Sequence, residues 1–258
     1  MAVTYFRNYG IHRVEPLDHD DTEDYIVSFP TWKQTERALR DNFPPHGNVI
    51  TPENATTPDG PLTWTENPDL IHEHITDAIK LTEGSEAMLY LGTPLRVRRR
   101  GEERWLGSVL TIQNGKVVST VFKQEPLEAE TKVLGVQKPH FDTRRVLGGN
   151  AVLICNELFR HTKNPDDYVL KNQEVRQIFS PSLWPIPAKL PEDWDPDKVN
   201  VGNDEYYRKL LEAKVASGVF SVMHTVRRVI VSDLGRTGFP YPFTEDIAPF
   251  NAVFDRVD

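Results

Sequence analysis

The sequence predicts an α/β fold in which helices cover the outside of a mixed sheet system. Strand–helix–strand patterns occupy the N-terminal third, a hairpin region follows in the middle, and strands and a helix return after it. This alternation is typical of α/β domains. No linker, internal repeat or low-complexity segment divides the chain, so we predict one domain over residues 1–258.

Two strand–helix pairs are predicted near the N-terminus. Residues 24–29 form an apolar strand, and Thr31 is placed to cap a helix that ends before two prolines. Residues 46–51 form the next strand, and residues 69–83 carry apolar side chains at helical spacing. Residues 1–23 are polar, and we expect them to be irregular.

The middle of the chain is predicted to contain a β-hairpin. Residues 105–113 and 116–123 are strands joined by an Asn-Gly pair at 114–115, which is a strong two-residue hairpin signal. A buried strand at 87–92 precedes them. It runs on into a basic segment at 96–100, which we expect to lie in a solvated hairpin.

The C-terminal half is predicted to return to buried strands. Residues 151–154 are a continuous apolar run, and residues 175–181 form a strand that ends in a proline-rich loop. Residues 204–217 are predicted to be a helix that Gly218 terminates. Two final strands are expected, at 219–224 and 227–232.

Composition excludes several classes of function. The formal net charge is −8, so no surplus of basic residues is available for binding nucleic acid. No apolar run has the roughly eighteen residues of a membrane helix, and residues 1–4 begin no signal peptide. The single cysteine excludes an intrachain disulfide and fits a reducing compartment. We therefore expect a cytoplasmic protein with no membrane or nucleic-acid partner. We also expect no metal and no cofactor, because ligand spacings and nucleotide-binding motifs are absent from the sequence.

Three residues that could carry chemistry each follow a predicted strand. They are Glu53, Lys123 and Cys155. Strand ends that border loops are where α/β proteins place their sites. Each residue also has an ordinary structural interpretation. Cys155 would be a small core hydrophobe, Glu53 an exposed loop carboxylate and Lys123 a solvated lysine at a sheet edge.

These three side-chain types can share one reaction. A thiol with a pKa near 8.5 is mostly protonated at neutral pH and needs a base or a cation beside it. A carboxylate can take the thiol proton and return it to a leaving amine, and an ammonium can stabilise the oxyanion of a tetrahedral intermediate. The hypothesis requires the three side chains to converge within roughly 3–5 Å.

Four segments carry a family resemblance. Residues 52–55 read Pro-Glu-Asn-Ala after a strand, and the central hairpin ends in Phe122-Lys123, with Gly92 in the preceding strand. Residues 152–157 read Val-Leu-Ile-Cys-Asn-Glu, and residues 179–184 read Phe-Ser-Pro-Ser-Leu-Trp. In this order they resemble four motifs of the nitrilase (carbon–nitrogen hydrolase) superfamily. The resemblance spans about residues 24 to 235.

The resemblance implies a four-layer α-β-β-α sandwich and a Glu–Lys–Cys catalytic triad. Glu53 would be the general base, Lys123 the oxyanion stabiliser and Cys155 the nucleophile that accepts the acyl group. The backbone N–H of Asn156 would complete the oxyanion hole.

Residues next to the three triad positions are expected to form the wall of the pocket. Many family members place a further glutamate just past the lysine, and the resemblance implies that Glu130 or Glu128 would fill this position here, with Glu130 preferred. Asn156 stands where the family usually has an aromatic residue, and residues 124–126 replace a usual basic or His-Leu continuation. Both departures touch the wall of the pocket and therefore affect the identity of the substrate.

The implied function is hydrolysis of a non-peptide carbon–nitrogen bond through a cysteine thioester intermediate. The substrate would be a small-molecule amide or nitrile, and a homodimer or larger homo-oligomer is expected because the family usually pairs subunits. Two alternatives stay open. One is a soluble N-acyltransferase related to the nitrilase-like domain of lipoprotein N-acyltransferases, and the other is a non-catalytic binding protein with the same fold.

Overall fold

The computed structural model describes most of the chain. The described residues are 1–17, 22–57, 68–99, 101–126, 131, 135–139, 144–161, 170, 174–182, 185–186, 208–233, 237–238 and 249–257. No helix within these ranges is long and apolar enough to cross a membrane. The organisation as one domain stays a prediction.

The strands and helices are numbered in chain order. The strands are β1 (Ala2–Phe6), β2 (Gly10–Val14), β3 (Asp24–Ser28), β4 (Asn48–Ile50), β5 (Met88–Arg99), β6 (Glu102–Gln113), β7 (Lys116–Phe122), β8 (Val146–Leu147), β9 (Asn150–Val152), β10 (Gln177–Ser182), β11 (Pro185–Ile186), β12 (Arg228–Asp233), β13 (Thr237–Gly238) and β14 (Asn251–Asp255). The helices are α1 (Trp32–Asn42), α2 (Pro68–Leu81) and α3 (Asn156–His161). Residues 208–214 are also α-helical and continue into a π-helix, Val215–Phe220.

Two six-stranded sheets form the centre of the described structure. Sheet A has the order β1-β14-β12-β10-β9-β8, and sheet B has the order β2-β3-β4-β5-β6-β7. The strands β9, β10 and β12 are parallel in sheet A, and β3, β4 and β5 are parallel in sheet B. Each sheet therefore has a parallel centre with antiparallel strands beside it. Loops that follow the parallel strands of one sheet gather at one edge, which is where α/β proteins place their sites.

The two sheets pack face to face. Alternate residues of each strand point to opposite faces, so each sheet can bury both faces. Ile26 of β3 and Ile230 of β12 lie in the inner core, and the rings of Tyr90 and Phe179 meet edge to face there with centroids 4.7 Å apart. The inner core thus joins strands of both sheets.

Helices cover the two outer faces. The apolar side chains of α1 and α2, including Leu39 and Ile75, pack against the outer face of sheet B. Leu211, Val215 and Val219 pack against the outer face of sheet A. The fold is a four-layer α-β-β-α sandwich, as predicted.

Local signals explain several elements. Thr31 caps α1, and its side chain accepts a hydrogen bond from the Gln34 N–H. Asn114 and Gly115 have φ values of 47° and 71°, as the predicted tight turn between β6 and β7 requires. Arg96, near the β5–β6 turn, forms ion pairs with surface acids, which confirms the solvated hairpin.

Three local predictions are wrong. Residues 1–23 are not irregular throughout, since they contain β1 and β2; these strands lie at the sheet edges and bury few side chains, so they lack an apolar pattern. Residues 219–224 are not a strand, and Gly218 does not end the preceding helix but lies inside the π-helix. Val219 and Phe220 instead end the π-helix and pack on sheet A, and a turn follows them. The prediction failed because a short apolar run has no period that separates strand from helix.

Candidate active site

Glu53 lies just past the carboxyl end of β4, in a segment that runs alongside β5. The N–H of Thr51 donates to the carbonyl of Tyr90 at 3.1 Å, and the N–H of Ala55 donates to the carbonyl of Gly92 at 2.8 Å. The Thr51 hydroxyl accepts a further hydrogen bond from the Gly92 N–H at 2.9 Å. The backbone is therefore held to β5 on both sides of Glu53.

Gly92 permits this close approach. An ideal Cβ at Gly92 would lie 2.0 Å from the carbonyl oxygen of Pro52 and 2.8 Å from the Cα of Glu53. Any side chain would therefore displace the segment that carries Glu53. Asn54, the next residue, has a φ of 58°, a left-handed conformation that Asn adopts more readily than most residues.

Lys123 follows β7, and its side chain crosses Gly107 of β6 to reach Glu53. The N–H of Lys123 donates to the carbonyl of Gly107 at 2.8 Å, and an ideal Cβ at Gly107 would lie 3.4 Å from the Cβ and Cδ of Lys123. The Lys123 Nζ lies 2.8 Å from Oε1 of Glu53. The side chains of Lys123 and Glu53 are 0% and 2% exposed, so the ion pair is buried. The ordinary interpretations, an exposed loop carboxylate and a solvated edge lysine, are wrong.

A contribution to folding stability does not by itself explain a buried ion pair. Removing two charges from water costs free energy that offsets much of their attraction, and an apolar pair of similar volume often serves as well. Buried charged groups of this kind cluster at functional sites, where their environment sets their reactivity. The pair therefore indicates a site more strongly than either residue does alone.

Cys155 lies in the inner core, at the turn from sheet A into α3. The strand β9 ends at Val152, earlier than predicted, but pairing along β10 continues. The N–H of Leu153 donates to the carbonyl of Phe179 at 3.0 Å, and the N–H of Cys155 donates to the carbonyl of Pro181 at 2.9 Å. Cys155 is 1% exposed and has a φ of 51°. A left-handed conformation at a residue with a Cβ costs about 1–2 kcal/mol, and such strain is typical of functional residues.

Two residues to which the sequence analysis gives no role, Arg145 and Glu157, link the segments of the lysine and the cysteine. They form a bidentate ion pair, with distances of 2.7 Å from Nη1 to Oε2 and 2.9 Å from Nη2 to Oε1. Their side chains are 1% and 0% exposed. Glu157 also accepts hydrogen bonds from the N–H of Ile154 at 2.8 Å and of Gln124 at 2.6 Å. The only sign of this ion pair in the sequence was the glutamate two positions after the cysteine.

The remaining predicted residues have different outcomes. Asn156 is the first residue of α3 and is half-buried. Its N–H belongs to the first turn, where no acceptor exists inside the helix. Glu128, Glu130 and Trp184 lie outside the described residues. Within the described ranges, no group of three His, Cys, Asp or Glu side chains is arranged to hold a metal ion.

The described structure contains the three side-chain types that nucleophilic sites use. A carboxylate and an ammonium are in contact at the end of sheet B, and a thiol follows a strand of sheet A. The Arg145–Glu157 pair connects the two segments across the sheets. A carboxylate can transfer protons and an ammonium can stabilise an oxyanion, so acyl transfer to the thiol is within the chemical reach of these groups.

Comparison with known proteins identifies the fold. No family model matches the sequence, and no curated protein matches it either. Solved structures do match. The carbon–nitrogen hydrolase from Helicobacter pylori G27 superposes with a TM-score of 0.56 and 12% identity, over 87% of this chain and 76% of that chain. The chain has the fold of the nitrilase superfamily.

Two further solved structures have the same nitrilase fold. XC1258 from Xanthomonas campestris, a CN-hydrolase superfamily protein with an arsenic adduct in its active site, gives a TM-score of 0.54 at 12% identity, over 90% of this chain and 82% of that chain. A variant of the Nesterenkonia AN1 amidase from the nitrilase superfamily gives 0.53 at 11% identity, over 98% and 90%. At these identities the likeness to nitrilase-superfamily proteins is one of fold.

Proposed function

We propose that this protein is a divergent nitrilase-superfamily enzyme that hydrolyses a non-peptide carbon–nitrogen bond of a small amide through a cysteine thioester. The observation that carries the proposal is the buried Glu53–Lys123 ion pair at the end of sheet B. In the proposed reaction Glu53 is the base and Lys123 is the cation of the sequence hypothesis. The proposal also requires Sγ of Cys155 to lie within about 3–5 Å of both groups.

The first half of the reaction transfers the acyl group to the enzyme. Glu53 takes the thiol proton of Cys155, and the sulfur attacks the substrate carbonyl carbon, so that its oxygen becomes an oxyanion. Lys123 and the backbone N–H of Asn156 stabilise this oxyanion. The carbon–nitrogen bond then breaks, and ammonia or an amine leaves with the proton that Glu53 returns.

The second half releases the acid. Glu53 takes a proton from water as the water attacks the thioester carbon, and the carbon–sulfur bond breaks. Cys155 leaves as a thiolate and regains its proton from Glu53. An acyl acceptor other than water would turn the same steps into an acyl transfer, so the products distinguish the two activities.

Turnover by a panel of amides and nitriles, assayed by ammonia release, tests the proposal. We expect Cys155→Ala to abolish turnover with the fold intact, because a methyl group replaces a thiol of similar size. Glu53→Gln is nearly isosteric and should lower turnover about 100-fold or more, as expected for a lost general base. Glu83→Gln, which changes an exposed carboxylate in the same way, should leave turnover unchanged.

Thiol labelling tests the same site without a known substrate. Because Cys155 is the single cysteine, mass spectrometry assigns any iodoacetamide adduct to it. We expect modification faster than that of a free thiol with an ordinary pKa, and slower modification in Lys123→Ala. An inert thiol together with no turnover on the panel would return Cys155 to the role of a core hydrophobe.

We also propose a homodimer, by analogy with the family alone. Light scattering after gel filtration measures the mass in solution directly. A mass equal to that of one chain of 29.5 kDa would contradict the dimer and leave the proposed chemistry unaffected.

A further inference from the structure

The Arg145–Glu157 ion pair holds the backbone on both sides of Lys123. Nη2 of Arg145 donates to the carbonyl of Phe122 at 3.1 Å, and Glu157 accepts from the N–H of Gln124 at 2.6 Å. The two peptide groups that flank Lys123 are therefore fixed by the two members of one buried pair.

The same pair holds the backbone ahead of the cysteine. Nη1 of Arg145 donates to the carbonyl of Val152 at 3.2 Å, and Glu157 accepts from the N–H of Ile154 at 2.8 Å. Glu157 itself lies two positions after Cys155, in the first turn of α3. Each charged group thus reaches both segments.

These contacts cross from one sheet to the other. Lys123 leaves β7, which lies at one edge of sheet B, whereas Cys155 follows β9, which lies next to the β8 edge of sheet A. Within the described structure β7 and β9 belong to different sheets, so no ladder of backbone hydrogen bonds sets their separation. Apolar contacts in the inner core tolerate small shifts between the two sheets, whereas directional hydrogen bonds do not tolerate them.

We propose that the Arg145–Glu157 pair is a positioning device that sets the Lys123 ammonium relative to the Cys155 thiol. This inference rests on the proposed function, because it concerns the thiol and the cation of that site. A shift of about 1 Å between reacting groups can cost 100-fold in rate. A guanidinium suits this task, since its planar fork can pair bidentately with a carboxylate and still donate to two carbonyls.

A second arginine–carboxylate pair, in which only the arginine is buried, provides a control. Arg228 forms a bidentate pair with Asp255, at 2.6 and 3.1 Å, and the two side chains are 3% and 29% exposed. Arg228 is the first residue of β12, at the opposite end of the parallel strands from the site. Its loss should affect stability and leave the site geometry in place.

The test compares Arg145→Lys with Arg228→Lys. Both variants keep the positive charge and remove the fork, so a single ammonium cannot reproduce all four donations of Arg145. The readouts are the pH dependence of Cys155 alkylation by iodoacetamide, and kcat and KM on an amide from the panel. We expect Arg145→Lys to shift the alkylation profile about one pH unit upward and to lower kcat by about 10- to 100-fold with KM nearly unchanged. The profile of Arg228→Lys should overlay that of the wild type.

Glu157→Asp is a second test variant, which is used if Arg145→Lys does not fold. It keeps the charge pair but shortens the side chain by one methylene, so its carboxylate cannot reach the Gln124 and Ile154 N–H groups together. We expect the same upward shift of the alkylation profile.

Two results would overturn the inference, and they are distinguishable. If folded Arg145→Lys or Glu157→Asp keeps the wild-type profile and kcat, the pair is only structural, while the proposed function stands. If the wild-type thiol already behaves as an ordinary or inert thiol and no amide is hydrolysed, the proposed function fails and the positioning role fails with it.

Discussion

Replacement of Gly92 by alanine should damage the site through the backbone of Glu53. The added Cβ would lie 2.0 Å from the Pro52 carbonyl oxygen, a distance that real Cβ atoms essentially never show. The atom in its way is backbone, so no side-chain rotation relieves the clash. An ordinary contact begins at 3.4 Å, so the segment that carries Glu53 must move by about 1.4 Å (3.4 − 2.0) to restore one.

The magnitude follows from that displacement. Overpacking of a well-packed interior costs about 1–3 kcal/mol of unfolding free energy. A movement of this size also changes the 2.8 Å contact between Glu53 and Lys123, and a misplacement of about 1 Å can already lower turnover by about 100-fold. We therefore expect Gly92→Ala to lose both stability and kcat.

Urea unfolding and ammonia release measure the two losses. Gly107→Ala is the matched control, because its Cβ would lie 3.4 Å from Lys123 and 3.6 Å from Oε1 of Glu53, which are ordinary contacts. It should cost less than about 1 kcal/mol and change kcat only a few-fold. If Gly92→Ala were as stable and active as Gly107→Ala, the close approach at Gly92 would not control the position of Glu53.

Two further predictions concern buried ionisable groups. Lys123→Met should lower the unfolding free energy by about 3–5 kcal/mol, because it leaves the Glu53 carboxylate buried without its cation, and Glu53→Gln in the same chain should restore much of the loss. Burial is the main reason why the pKa of Tyr90 is raised to about 12. The hydrogen bond from Asn150 lowers this pKa, and the negative charge of Asp24 raises it by a smaller amount. A raised folded-state pKa contributes stability that is complete below pH 10 and is lost as the pH rises toward 12, by up to about 3 kcal/mol. Tyr90→Phe should remove this part of the alkaline loss.

Urea unfolding checks both predictions. A cost below about 1 kcal/mol for Lys123→Met would mean that Glu53 takes up a proton or finds water, and that the ion pair is not needed for the fold. For Tyr90, wild type and Tyr90→Phe are compared between about pH 9 and 12. Equal pH dependence in the two proteins would show that other groups cause the alkaline loss.

Local patterns in the sequence were sufficient for the elements that lead to the site. The Thr31 cap, the Asn-Gly turn and the apolar strands before Glu53 and Cys155 all depend on neighbours in the chain. The prediction failed where the signal was weak. The edge strands in residues 1–23 bury few side chains, and the run after Gly218 is too short to show a period.

The sequence by itself determined an α/β chain with a carboxylate, an ammonium and a thiol at the ends of strands. Only the tertiary structure decided that Glu53 and Lys123, 70 positions apart, form a buried pair. It also decided that Arg145 and Glu157 bridge the two sheets beside them. The physical reason is that turns and caps are set by contacts within a few residues. A contact between distant residues depends on sheet order and on which faces pack together, and the local pattern does not encode these.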